Sequence, residues 1–183
     1  MKLNAKLSIG VAIAAWLCGA EYANSAPQEL LFICGGNTGR SPMAEGLVNA
    51  QLQKMHNHQY VAVSRGADVD PNAIMPEPNA VIAMQQKGID ISKHRAAEVT
   101  VADIDQATLV LTMTDVQKKT LIALDPKATA KIKTLSECAS GVQQNVADPY
   151  GQALSVYVKT RNQIQGYIQQ LAKHGFQCVV QSS

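Results

Sequence analysis

Leu31-Phe32-Ile33-Cys34-Gly35-Gly36-Asn37-Thr38-Gly39-Arg40-Ser41-Pro42 runs from an apolar segment into a cysteine, then through three glycines to an arginine and a helix-start signal. Leu30–Ile33 is a short β-rich run and predicts a strand that ends on the cysteine. The glycines let the chain curl, so that successive N–H groups can form a concave nest for an anion. Ser41 followed by Pro42 reads as N-cap and first helical residue. Ala44, Leu47, Val48, Leu52 and Met55 recur at helical spacing and predict a helix over Pro42–Met55. A helix N-terminus suits a bound phosphate, and with a fixed cation such as Arg40 it favours thiolate over thiol at a nearby cysteine. Arg40 can also grip two phosphate oxygens through its planar fork. A strand-end cysteine alone would read as a small buried hydrophobe. The glycines, the Asn and the Arg-Ser-Pro turn make it a candidate nucleophile instead.

Outward from this segment, apolar β-rich runs recur at Tyr60–Val63, Thr108–Met113 and Ile132–Leu135. Helical patterns lie between them and after them, at Pro78–Lys87, Asp115–Ala123 and Gln152–Lys173. Alternating strands and helices predict an α/β fold, a three-layer αβα sandwich around a parallel sheet. Ligands in such sheets bind beyond the carboxyl ends of the strands, where Cys34 falls. The proline-marked stretch 66–77 should form a wall of that cleft, and 137–147 should lead into the loop around Asp148.

These residues resemble the low-molecular-weight protein tyrosine phosphatase family. The Cys-x5-Arg-Ser loop of CGGNTGRSPMAE, Ser64 and Gly66, Gly88-Ile89-Asp90, Ser92 through Arg95, and Asp148-Pro149-Tyr150-Gly151 match its segments in order. The resemblance implies a four-stranded sheet of order 2-1-3-4 with the phosphate-binding loop after the first strand. It implies that Cys34 is the nucleophile, Arg40 the phosphate clamp and Asp148 the general acid. Gly35, Gly36, Asn37, Thr38, Gly39 and Ser41 would form the phosphate-binding loop, with Ser41 donating to the thiolate. Asn37 would hold a left-handed conformation, tied by Ser41, Ser64 and His94, and Tyr150 would offer a ring to the substrate. No metal or other cofactor is needed, because amides and Arg40 neutralise the phosphoryl charge.

Three positions depart from the family pattern. Gly39 stands where many members carry a second cysteine, Gly35 replaces a larger pocket-lining side chain, and Arg65 replaces a small residue. Thr38 bears on specificity. Tyrosine-directed members place a bulky aliphatic there, whereas a subgroup resembling bacterial protein-arginine phosphatases places Thr. Phosphotyrosine in a protein is the leading expected substrate and phosphoarginine the rival, with small phosphomonoesters also open. Arsenate reductase shares the loop type but needs resolving cysteines near the third strand, where Met113-Thr114-Asp115 offers none. A mere phosphate-binding module would need neither sulfur nor acid.

Residues 1–25 read as a secretory signal peptide: Lys2 and Lys6, the apolar run Leu7–Leu17, then small and polar residues up to a cut near Ser25. The expectation is one phosphatase domain over 26–183, exported to the periplasm or beyond. The apolar run is too short for a comfortable membrane span. Removing Lys2, Lys6 and Glu21 lowers the formal charge from +2 to +1, a balance that argues against a nucleic-acid partner. Cys34, Cys138 and Cys178 then remain. In an oxidising compartment a Cys138–Cys178 bridge with Cys34 free is one sensible partition; two ordinary core cysteines is the other.

Overall fold

The computed structural model describes residues 26–179, so the expected leader lies outside the described residues. Four strands form one parallel sheet of order β2-β1-β3-β4: β1 Gln28–Cys34, β2 Tyr60–Gly66, β3 Leu109–Thr112 and β4 Ile132–Thr134. Successive side chains of a strand face opposite sides. Leu30, Phe32 and Cys34 therefore enter one apolar cluster, and Leu31 and Ile33 the other. All five are buried, because the central strand has helices over both faces.

The first cluster is closed by α1 Arg40–Lys54, α2 Pro78–Gln85, α5 Leu135–Ser140 and α6 Leu154–Lys173. The second is closed by α3 Val101–Gln106 and α4 Asp115–Leu124, with a 3-10 turn at Pro126–Lys131. The sheet order and the layering match expectation. Among the described residues no helix is long and apolar enough to cross a membrane.

Two short helices were not foreseen. In α3 and α5 the signal is a capping box, Thr100 with Asp103 and Thr134 with Glu137, each side chain holding the other residue's backbone N–H. The second box turns Leu135 out of the expected strand and into α5. The start of α1 also differs from expectation. It begins at Arg40 with Gly39 as N-cap, and no side chain caps it. Ser41 lies inside the first turn because its hydroxyl is engaged elsewhere, and Pro42 is tolerated there because first-turn N–H groups lack helical partners anyway.

Cys138 and Cys178 form a disulfide, with Cα atoms 4.3 Å apart, and Cys34 is the free cysteine among the described residues. The bridge ties α5 to the chain that follows α6, where Val179 N–H also donates to the Cys138 carbonyl at 3.0 Å.

Candidate active site

Cys34 ends β1 and is 2% exposed at the floor of a cleft. Gly36, Thr38, Gly39 and Arg40 line the cleft on the loop side. Across from them are Asp148, Pro149 and Tyr150, with Asp68, Asp70, Ala73 and Glu77 completing the wall from the 66–77 stretch. That stretch was expected to form a wall, and it does.

The loop is held by close backbone approach. Ala67 N–H donates to the Cys34 carbonyl at 2.9 Å and Asp68 N–H to the Gly35 carbonyl at 3.2 Å. A Cβ on Gly66 would lie 2.5 Å from the Gly35 oxygen and 2.3 Å from a Val69 methyl, so only glycine fits there. A Cβ on Gly35 would meet nothing within 4 Å. Among the described residues no backbone N–H from Gly36 to Ser41 donates to another protein group.

Asn37 is fully buried at φ 55, the left-handed conformation expected for it. Its Nδ2 donates to Ser41 Oγ at 2.9 Å and Ser64 Oγ at 3.0 Å, while its Oδ1 accepts Ala97 N–H at 3.0 Å. His94 Nε2 lies 2.9 Å from the Asn37 carbonyl oxygen and 3.2 Å from Oδ1. Both are acceptors, so Nε2 carries the proton. Burial holds the imidazole below its ordinary pKa, against the raising effects of the Asn37 bond and Glu45. The Ser64 hydroxyl donates to Glu45 Oε2 at 2.6 Å, a carboxylate the motif reading did not include. Because Asn37 donates to Ser41 Oγ, the Ser41 proton is shared between two acceptors, Cys34 Sγ at 3.0 Å and the Arg65 carbonyl at 3.3 Å.

Arg40 is 6% exposed. Its Nη1 donates to the Val146 carbonyl at 3.1 Å and its Nη2 is paired with Asp148 Oδ2. Val146 is itself pinned to the end of β3 by its N–H on the Met113 carbonyl at 2.9 Å. Asp148 is then fastened locally: Tyr150 N–H reaches its Oδ1 at 3.2 Å and the Gln152 side chain its carbonyl at 2.9 Å. Tyr150 is 69% exposed at the rim, so it does not serve the core.

Arg65, the unexplained departure, bridges to Asp103 Oδ1 through Nε and Nη2 at 3.0 Å each and to the Ser64 carbonyl at 2.9 Å. It clips the end of β2 to the first turn of α3. Burial pushes the Asp103 carboxyl up, but the Thr100 hydrogen bonds and the Arg65 charge outweigh it and leave the pKa low.

Two cleft residues were missed by the motif reading. Tyr157 reads in sequence as an inward apolar position of the last helix, and it is buried; its ring lies against Gly39 and its hydroxyl is 3.5 Å from Glu77 Oε2. Glu77 precedes Pro78 as the N-cap of α2, yet its side chain makes no capping bond. Nothing in local sequence shows that these two side chains meet over the loop.

Known proteins agree with this arrangement. The family model described as low molecular weight phosphotyrosine protein phosphatase matches residues 29–178. The chain is 34% identical over 149 residues to a protein-arginine-phosphatase of Geobacillus stearothermophilus, covering 80% of this chain and 95% of that protein. It is 32% identical over 136 residues to EpsP of Ralstonia nicotianae, a probable low molecular weight protein-tyrosine-phosphatase, covering 74% and 88%. The crystal structure of the T. tengcongensis low molecular weight protein tyrosine phosphatase superposes with a TM-score of 0.76 at 38% identity, covering 80% and 99%. With its loop, its sheet order and the matched span in accord, the chain belongs to the low molecular weight phosphotyrosine protein phosphatase family, whose members are cysteine-dependent phosphomonoester hydrolases.

Proposed function

We propose that this protein removes phosphoryl groups from protein side chains, phosphotyrosine first among them, through a phosphocysteine on Cys34. The meeting of Arg40 and Asp148 in the cleft floored by Cys34 carries this reading. A phosphoryl group in the loop takes the free amides of residues 36–41, and the Arg40 fork turns from Asp148 to the phosphoryl oxygens. Ser41 donates to the sulfur and orients it for attack. Sγ attacks phosphorus as the bond to the leaving oxygen breaks, and Asp148 gives that oxygen its proton. Asp148, now ionised, takes a proton from the attacking water, the S–P bond breaks and inorganic phosphate leaves. An aryl phosphate assay on wild type and Cys34→Ser tests this. Turnover by wild type alone is expected, and a silent wild type that still binds phosphate would sink the proposal.

Thr38 on the cleft wall favours a second reading, phosphoarginine, and two of the chain's relatives carry that activity in their names. Arsenate reduction finds no support, since Cys138 is tied to Cys178 and leaves no second thiol among the described residues. We also propose export, on the charged start and short apolar run of residues 1–25. The Cys138–Cys178 bridge supports it, because structural disulfides persist mainly outside the reducing cytosol. The mass of the mature N-terminus checks the cut near Ser25, and recovery of the full-length chain in the cytoplasm would refute it.

A further inference from the structure

Glu77 is one of three cleft carboxylates, with Asp68 and Asp70, for which the phosphocysteine mechanism has no use. Its backbone N–H donates to the Thr38 carbonyl at 2.8 Å, which sets the residue directly over the phosphate-binding loop. Its side chain leaves the N-terminus of α2 uncapped and instead accepts from Tyr157 at 3.5 Å. It lines the same cleft as Cys34, Thr38 and Asp148. The Tyr157 hydroxyl is pushed up to about 12 by burial first, then by the charges of Glu77 and Asp148. It therefore remains a donor to Glu77 at any working pH, with Glu77 at the cleft wall.

A carboxylate beside a phosphoryl dianion repels it, and it also faces the group that carries the phosphoryl. A phenyl ring there offers no donor and leaves the carboxylate partly stripped of water with only the Tyr157 hydroxyl as partner. A guanidino group offers N–H donors and positive charge, and converts the same carboxylate into a charge-assisted acceptor. Resting on the phosphocysteine reading above, we propose that Glu77 is a specificity-determining residue that accepts N–H bonds from a guanidino group bearing the phosphoryl, with Tyr157 holding it in place. The bond broken is then P–N, and Asp148 protonates the departing nitrogen as it would the phenolic oxygen.

The test compares kcat/KM on a phosphoarginine peptide, free phosphoarginine, a phosphotyrosine peptide and a small aryl phosphate, for wild type, Glu77→Gln and Tyr157→Phe. Glu77→Gln should lower the ratio of phosphoarginine to aryl phosphate turnover by about tenfold, as when a site built for a hydrogen bond loses its partner. Tyr157→Phe should lower it in the same direction by less, and serves if the first variant does not fold. An unchanged ratio in both, whatever the absolute loss, overturns the proposal, because it reduces Glu77 to a support for Thr38. So does a wild type that hydrolyses aryl phosphate and phosphotyrosine but neither form of phosphoarginine. Preference for the peptide over the free amino acid places the guanidinium on a protein, and the reverse preference points to a small phosphagen; each supports the carboxylate's role. A wild type inert on every substrate refutes the phosphatase reading itself.

Discussion

Arg40 and Asp148, 108 positions apart in the chain, form an ion pair in the cleft that Cys34 lines. The pair has a structural consequence and a place in the proposed mechanism. It compensates a buried guanidinium, which would otherwise be costly to keep from water. In the proposed mechanism it also keeps the carboxyl beside the leaving group of a phosphoryl held in the loop. In that mechanism bound phosphate draws the guanidinium toward its own oxygens and leaves Asp148 to serve the leaving group.

Asp148→Asn removes the proposed proton donor but keeps the shape. Turnover of a phosphate ester with a poor leaving group should fall by about 10²–10⁴-fold, the usual contribution of a positioned acid. A substrate with an activated, self-departing leaving group should lose much less. Equal losses on both would assign Asp148 to holding Arg40 and nothing more. Steady-state kinetics on a graded series of aryl phosphates reads the difference.

Asn37 is the hub that keeps the loop curled. Asn37→Ala puts a Cβ-bearing residue without local hydrogen bonds at φ 55, removes the donor to Ser41 and Ser64, and leaves Ala97 N–H without its acceptor, while His94 keeps the backbone carbonyl. A destabilisation of about 1–3 kcal/mol by denaturant unfolding is expected, with loss of phosphate affinity. Asn37→Gly relieves the backbone but restores none of the bonds. A glycine variant with full phosphate affinity would show that conformation alone matters.

The Cys138–Cys178 bridge closes a loop of sequence separation 40. Replacing both cysteines by serine should cost about 2–4 kcal/mol in unfolding free energy, mainly by loosening the unfolded chain's constraint. The bridge lies away from the cleft, so turnover below the lowered melting temperature should match wild type. A double variant with unchanged melting temperature would mean that the bridge constrains nothing.

His94 predicts a pH dependence of stability. Its folded pKa is depressed by burial, with Arg65 and Arg95 adding to the effect and Glu45 and the Asn37 bond opposing it. The unfolded imidazole takes up its proton near its ordinary value of about 6.5. Stability is therefore full above that pH, and falls as pH drops from there through the lower folded value, because the unfolded state binds more protons. Denaturant midpoints between about pH 8 and pH 5 should decline more steeply for wild type than for His94→Gln. Parallel lines would remove His94 from the account of acid sensitivity.

The residues of Cys34–Pro42 determined most of the architecture by themselves. An apolar run into Cys34, glycines and a helix start can hardly fold except as strand, loop and helix, since backbone sterics and hydrogen bonding act locally there. The strand and helix alternation then leaves a parallel sheet as the way to bury Leu30 to Ile33 on both faces. Thr100 and Thr134 carried capping boxes that were legible, but six-residue helices are too short for periodicity to reveal. Which charges face one another was decided only in three dimensions. Arg65 finds Asp103, Ser64 finds Glu45, and Tyr157 from the last helix reaches Glu77 before α2. Each of these pairs spans elements brought together by burial of the core, and side-chain hydrogen bonds over such separations follow the packing rather than direct it. Local sequence set where the anion cradle forms; tertiary packing set which side chains look into it.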